Sequence, residues 1–145
     1  MSSPEPCHGF QAEIIEFVER GLWGGKRHFP PATALGWATA EEGIVAGFVF
    51  TNWQPDDGVI EVSGYSTRRD WATPSIVREL FAYPFEQLGC RLVVGRHSER
   101  NTRVRRIWKA LGADEAVLPR MRADDEDEAV SLLHRDDWRK SRFAR

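Results

Sequence analysis

Residues 59–66 carry the first side chains whose spacing could support chemistry. Their polarity alternates, and Glu61, Ser63 and Tyr65 fall on one face of a predicted strand. A carboxylate on that polar face could take a proton from an amine, directly or through water. An exposed carboxylate without a catalytic role would give the same pattern, so both interpretations of Glu61 stay open.

A predicted loop, Thr67 to Thr73, follows this strand directly. Thr73 can cap the next helix, and Pro74 suits the first helical turn. The loop belongs to a strand–loop–helix–strand–helix run between Asp57 and Ala113. Such a run forms a crevice at the strand ends, where ligands usually bind. The loop is therefore interpreted as a phosphate-loop-like turn beside a ligand crevice.

Hydrophobic periodicity and turn residues predict the elements that position these side chains. In chain order they are a helix (Phe10 to Leu22), three strands (Thr33 to Thr39, Ile44 to Thr51 and Val59 to Ser66), a helix (Pro74 to Leu88), a strand (Arg91 to Arg96), a helix (Thr102 to Leu111) and a hairpin (Ala116 to Met121 and Ala129 to Leu133). Pro84 should kink its helix, because it cannot donate a backbone hydrogen bond. The acidic run from Asp124 to Glu128 is expected in the exposed connection of the hairpin.

The chain length and composition suit one folded domain of class α/β (α+β). The chain has 145 residues, of which 41% are hydrophobic and 29% are charged. The domain is predicted to span residues 10–134, between a flexible arm at residues 1–9 and a polar tail at residues 135–145. Trp138 is the residue expected to anchor that tail.

Charge and cysteine usage restrict the class of function. The formal net charge is -2 and the pI is about 6.1, so no global basic field favours nucleic acid. No apolar run is long enough to span a bilayer, and no signal-peptide pattern is present, which predicts a cytoplasmic location. Cys7 and Cys90 have no metal-binding or redox spacing, so we expect two free thiols and no metal site.

Two segments resemble the GCN5-related N-acetyltransferases. Ile76 to Gly89, IVRELFAYPFEQLG, is similar to the family's helix after its pyrophosphate loop. Asn101 to Gly112, NTRVRRIWKALG, resembles the family's N-x-x-A-x-x-L-Y-x-x-x-G segment. The predicted order of elements agrees as well, and the resemblance covers roughly residues 35–133.

The resemblance implies a mixed, mostly antiparallel sheet with a splayed parallel strand pair and helices on both faces. It implies acetyl-CoA as cosubstrate and an amine as acetyl acceptor. The implied cofactor-binding residues are Ser66, Arg68, Arg69, Thr73 and Asn101. The family loop is rich in glycine, whereas this loop has none, and the two arginines could offset that loss by pairing with phosphate oxygens.

The resemblance also assigns catalytic roles. It makes Glu61 the general base, and it places Trp108 where many members have a tyrosine that protonates the leaving thiolate. Because an indole is not an acid near neutral pH, Tyr65, Ser98 or water would replace that tyrosine, or the thiolate would leave unassisted. Asn101 could bind the pantetheine arm, cap a helix, or do both. His97 could be a base or simply an exposed histidine.

Two other functions remain open at this point. The first is a catalytically inactive module of the same fold that binds a protein partner, for example within a phage-like assembly. The second is nucleic-acid binding through the basic face of the last predicted helix, which net acidity opposes. The acceptor amine is not identified by the sequence, and a homodimer is also possible.

Overall fold

The computed structural model describes residues 2–145. Its elements are β1 (Glu5–Pro6), α1 (Gln11–Trp23), β2 (Thr33–Thr39), β3 (Gly43–Gln54), β4 (Val59–Ser66), α2 (Pro74–Ala82), a π-helix (Tyr83–Gln87), β5 (Leu92–Ser98), α3 (Thr102–Ala110), β6 (Asp114–Ala123), β7 (Glu126–His134), α4 (Arg135–Lys140) and a 3-10 helix (Arg142–Ala144). No helix among the described residues is both long and apolar enough to cross a membrane.

The strands follow the order β1-β2-β3-β4-β5-β7-β6 in one seven-stranded sheet. The sheet is mostly antiparallel, and β4 and β5 are its parallel pair. The predicted fold class is therefore confirmed. The described residues form two compact units, one made of the residues up to Thr51 with Val62–Thr73, the other of Asn52–Glu61 with Pro74–Arg145. The number of domains remains a prediction.

In the first unit, α1 packs closely on β2 and β3. Ile14 and Val18 are fully buried on the helix. A Cβ atom at Gly36 would lie 2.7 Å from Ile14 Cγ1, and one at Gly47 would lie 2.9 Å from Val18 Cγ2. These two glycines therefore permit the close approach of α1 to the sheet.

Residues 5–7, within the predicted flexible arm, are bound to the edge of the sheet. Glu5 and Pro6 pair with Ala38 and Trp37 of β2, and the Cys7 amide donates to Gly36 O at 2.9 Å. The prediction was wrong here because polar and proline residues can still complete a sheet edge.

In the second unit, the predicted helix through Pro84 changes form at that residue. Regular α-helix ends at Ala82, and a π-helix continues to Gln87. The Leu88 amide donates to Tyr83 O at 3.0 Å, five residues earlier. The backbone thus forms a widened turn at Pro84, and the predicted kink itself stays a prediction.

The closing hairpin is longer than predicted, and its connection is shorter. β6 and β7 are joined through Asp124 and Asp125, so Glu126 to Glu128 belong to β7. Glu128 is only 3% exposed. The expectation that the whole acidic run is exposed was wrong, because Glu128 lies within a strand and its carboxylate is covered by Arg96 and Arg122.

The C-terminal residues form part of the core. Trp138 of α4 is 1% exposed, and its ring stacks on Phe85 with 5.4 Å between centroids. Phe143 is also buried. The expected anchoring by Trp138 is confirmed, but residues 135–145 are helical rather than a simple polar tail. Both cysteines are free thiols, as predicted.

Candidate functional site

Arg68, a predicted phosphate ligand, is bound by the loop's own carboxylate. Its Nε and Nη2 donate to the two oxygens of Asp70 at 3.0 and 2.9 Å. Its Nη1 donates to Ser2 O at 3.2 Å and lies 3.8 Å from Glu42 Oε2. The side chain is 12% exposed. The hydrogen bonds that Arg68 donates to Asp70 raise the pKa of Arg68. The guanidinium is therefore already engaged within the protein.

The backbone of the loop is fixed by short polar contacts. Ser66 Oγ accepts from the Arg68 amide at 3.0 Å and lies 2.8 Å from Val45 O, to which it can donate. The Thr67 amide donates to Val45 O at 2.9 Å, and the Thr73 amide to Trp71 O at 2.8 Å. Ser66 and Thr73, two of the predicted cofactor ligands, thus already use polar groups in hydrogen bonds that hold the loop.

Other groups of the loop stay available to an anion. Arg69 is exposed, and no hydrogen bond or ion pair of its side chain is found among residues 2–145. The amides of Arg69, Trp71 and Ala72 likewise donate to no acceptor in the described part of the chain. Free amides and a guanidinium are the groups that bind phosphate oxygens. These groups, rather than Arg68, are the ones in the loop that could hold a diphosphate.

Glu61, the predicted base, has both carboxylate oxygens near polar partners. Asn52 Nδ2 donates to Glu61 Oε2, and Gln54 Nε2 donates to Asn52 Oδ1 at 3.0 Å. Arg96 Nη1 lies 4.0 Å from Glu61 Oε1. The Glu61 side chain remains 23% exposed, so solvent or an acceptor can reach it. Asn52 adopts a left-handed backbone conformation, with φ of +52°.

A buried carboxylate that the sequence analysis did not single out lies beyond Arg96. Glu128 Oε2 accepts from Arg96 Nε at 2.9 Å, and Oε1 accepts from Arg122 Nη1 at 3.0 Å. Glu61, Arg96, Glu128 and Arg122 therefore form a row of alternating charge. Only the pairing of β7 with the strands that carry Arg96 and Arg122 could have signalled this row, and the predicted loop obscured it.

Tyr65, the first predicted replacement for the general acid, packs on α1. A Cβ atom at Gly21 would lie within 2.5 Å of the Tyr65 ring, and Phe17 is 5.6 Å away between ring centroids. Tyr65 also lines an open cavity of about 440 Å³ with residues that include Glu13 and Glu16 of α1. The structure thus gives Tyr65 aromatic and acidic neighbours, and its acid role stays a prediction.

Asn101 and Trp108 lie on α3, where the resemblance assigned them. Asn101 caps the helix, with its Oδ1 accepting from the Val104 amide at 3.3 Å, which confirms the capping interpretation. Trp108 is buried over Gly95, and its ring meets Phe81 edge-on at 5.5 Å. Trp108 therefore fills the core.

His97 is not the exposed histidine that was one of its two interpretations. It is 8% exposed, and its Nε2 lies 3.1 Å from the buried Ser131 Oγ. Burial lowers the pKa of His97. A buried imidazole beside Trp108 is not open to an incoming substrate, which leaves Glu61 as the better-placed base.

The basic face of α3 is partly neutralised. Arg105 donates to both oxygens of Glu115, at 2.8 and 2.6 Å, and to Glu99 O at 2.7 Å. This pairing disfavours the nucleic-acid alternative, because Arg105 is then less available to phosphates. No group of three His, Cys, Asp or Glu residues between residues 2 and 145 is arranged to hold a metal ion.

Several solved structures share this fold. One is described as an acetyltransferase; it matches with a TM-score of 0.70 and 18% identity over 95% of this chain and 93% of its own. A chimera of the spermidine N-acetyltransferase SpeG from Vibrio cholerae and hSSAT matches with a TM-score of 0.72 and 8% identity, over 94% and 99% of the two chains. A GNAT-family acetyltransferase from Bacillus anthracis matches with a TM-score of 0.59 and 12% identity, over 71% and 66%.

Sequence comparison adds nothing to this likeness. No protein-family model matches the chain, and no curated protein sequence matches it. The structural matches show that the chain has the fold of the GNAT acetyltransferases, as the resemblance of its two segments predicted.

Proposed function

We propose that the protein is an N-acetyltransferase that transfers the acetyl group of acetyl-CoA to an amine acceptor. The observation that carries the proposal is the likeness of almost the whole chain to acetyltransferase structures, with a TM-score of up to 0.72. Because one fold can host several functions, the proposal also needs a site with suitable chemistry. Glu61 is the proposed base, and the loop after β4 is the proposed anion-binding segment.

Glu61 acts as the general base in this proposal. It takes the proton that the amine loses as its nitrogen attacks the acetyl carbonyl, directly or through water. The hydrogen bond from Asn52 fixes the Glu61 carboxylate, and the partial exposure of Glu61 lets the amine reach that carboxylate. Acetyl-CoA supplies an acetyl group activated as a thioester. Tyr65, one of the alternatives left open by the sequence, is the proposed acid for the leaving sulfur.

The loop after β4 holds the diphosphate of the cosubstrate. Arg69 supplies charge, and the free amides of Arg69, Trp71 and Ala72 supply hydrogen bonds. Ser66 and Thr73 contribute by shaping the backbone. Asn101 stays a proposed contact of the pantetheine arm in addition to its capping role. A cytoplasmic location and a homodimer also remain predictions.

A catalytically inactive module that binds a protein partner is the second candidate. The engagement of Arg68 by Asp70 favours it, because the loop then has one cation fewer for a diphosphate. The replacement of the usual tyrosine by Trp108 favours it too.

A binding assay and a rate assay separate the two candidates. Acetyl-CoA should raise the melting temperature of the protein, with CoA and ATP as comparison ligands, because a ligand of the native state stabilises it. Glu61→Gln should lower kcat with an amine acceptor by about 10²-fold or more, while acetyl-CoA affinity stays unchanged. The matched control is Glu79→Gln, which removes an exposed carboxylate on α2.

Each outcome has a distinct meaning. No binding of acetyl-CoA at millimolar concentration would refute the enzyme proposal and favour the inactive module. Binding with an unchanged rate in Glu61→Gln would refute the base assignment only.

A further inference from the structure

We propose that Arg68 is a positioning residue: together with Asp70 it fixes the shape of the loop at residues 66–71, and it does not bind the diphosphate itself. The inference rests on the proposed use of acetyl-CoA. It assigns to a side-chain ion pair the task of holding the backbone where its amides can meet phosphate oxygens, in a loop that lacks the glycines by which the family's backbone approaches the phosphates closely.

The contacts of Arg68 carry the first step. Three of its nitrogens already donate to protein acceptors, namely both oxygens of Asp70 and the carbonyl oxygen of Ser2. A two-pronged arginine–carboxylate pair is among the strongest polar contacts in proteins. Since the side chain is also 12% exposed, a diphosphate would have to break this pair before it could bind the guanidinium.

The rest of the loop is fixed at both ends. Ser66 Oγ and the Thr67 amide lie against Val45 O of β3, at 2.8 and 2.9 Å respectively. At the other end the Trp71 ring packs on Phe48, with 5.0 Å between centroids. Arg68 and Asp70 therefore hold the segment between two anchored points. A loop that is ordered before binding loses less conformational entropy when the ligand arrives.

The pair also changes the electrostatics of the loop. Asp70 alone would repel a diphosphate, but Arg68 compensates its charge at 2.9 Å. The exposed Arg69 then remains as uncompensated positive charge on the segment. The two adjacent arginines thus take different roles, since Arg68 fixes the loop and Arg69 contacts the ligand.

Asp70→Asn tests this division because the two possible roles of Arg68 predict opposite signs. If Arg68 positions the loop, loss of the ion pair should weaken CoA binding by about tenfold, which corresponds to about 1.4 kcal/mol. If Arg68 binds phosphate, Asp70→Asn frees the guanidinium and removes a repelling charge, so CoA should bind more tightly. Titration calorimetry with CoA measures the sign. Glu42→Gln, whose carboxylate lies 3.8 Å from Arg68, is the matched control and should change affinity little.

Amide hydrogen exchange supplies a readout without ligand. Arg68→Ala and Asp70→Asn should each speed exchange across residues 66–71, and the double variant should be no faster than either single one, because both remove the same pair. Arg69→Ala should leave amide exchange unchanged but weaken the binding of CoA. It should not weaken the binding of pantetheine, because pantetheine lacks the diphosphate.

The possible failures differ from one another. Tighter CoA binding by Asp70→Asn, or unchanged exchange in both single variants, would overturn the positioning role and leave the proposed enzyme intact. A wild-type protein that binds no CoA would overturn the proposed function, and with it any diphosphate role for this loop.

Discussion

Gly95 is the position at which a single added methyl group should disturb the packing of α3 on β5. A Cβ atom there would lie 2.7 Å from Trp108 Cε2 and closer still to Cζ2. The indole would have to retreat by about 1 Å to restore ordinary contact, and Phe81 lies behind it at 5.5 Å. Overpacking of this kind costs about 1–3 kcal/mol, so Gly95→Ala should reduce the free energy of unfolding by that amount.

Urea titration and thermal melting measure the effect. For a chain of this size each kcal/mol corresponds to about 2–4 °C, so the melting temperature should fall by roughly 2–12 °C. In a Trp108→Phe background the smaller ring leaves room for the methyl group. Gly95→Ala should therefore cost at least about 1 kcal/mol less there than in the wild type.

The control is a glycine with an equally close neighbour in the other unit. A Cβ atom at Gly64 would lie 2.6 Å from Phe48 Cδ1, so Gly64→Ala should also destabilise, but equally with and without Trp108→Phe. If Gly95→Ala costs the same in both backgrounds, the contact with Trp108 is not the cause and the packing argument for α3 fails.

Three further predictions concern charge, pH and the C-terminal residues. Glu128→Ala should lower the free energy of unfolding, measured by urea titration, by about 1–2 kcal/mol. This cost is smaller than for a fully buried pair, because Arg96 and Arg122 are 48% and 35% exposed and can be rehydrated. An unchanged titration midpoint would contradict this prediction. Burial lowers the pKa of His97 below its ordinary value of 6.5. As the pH falls below 6.5, the unfolded chain therefore binds a proton at this residue that the folded chain does not bind, and the folded state loses stability. His97→Gln should flatten that loss, measured as the free energy of unfolding between about pH 7.5 and about pH 5.5; an equal slope in both proteins would argue against it. Trp138→Ala should lower the free energy of unfolding by about 3–5 kcal/mol, measured by differential scanning calorimetry, if α4 is part of the core. A fall in melting temperature of less than about 2 °C would mean that residues 135–145 are dispensable for stability.

Local signals in the sequence predicted α3 well. Capping was one interpretation of Asn101 and is observed, and Gly112, which directly follows the predicted end of the helix at Leu111, has a φ of +98°, which other residues rarely adopt. Both signals act within one helical turn, through a side chain that reaches a nearby amide or a backbone that only glycine enters easily. Such features need no knowledge of the rest of the chain.

The partners of charged side chains could not be predicted in the same way. Glu128 lies in an acidic run that is typical of an exposed loop, yet it is buried against Arg96 and Arg122. The pairing depends on strand register, which places residues 32 positions apart side by side. Sequence separation carries no information on such a contact until the sheet is formed.

The sequence by itself determined the order of the elements from α1 to β7, several caps and turns, and the candidate base Glu61, because periodicity and short-range sterics act over a few residues. Only the tertiary structure decided that Arg68 is bound by Asp70 and Ser2, that Arg69 is exposed, and that His97 is buried. The physical reason is that a charged or polar group binds the partner that folding brings within about 3 Å of it, wherever that partner lies in the chain.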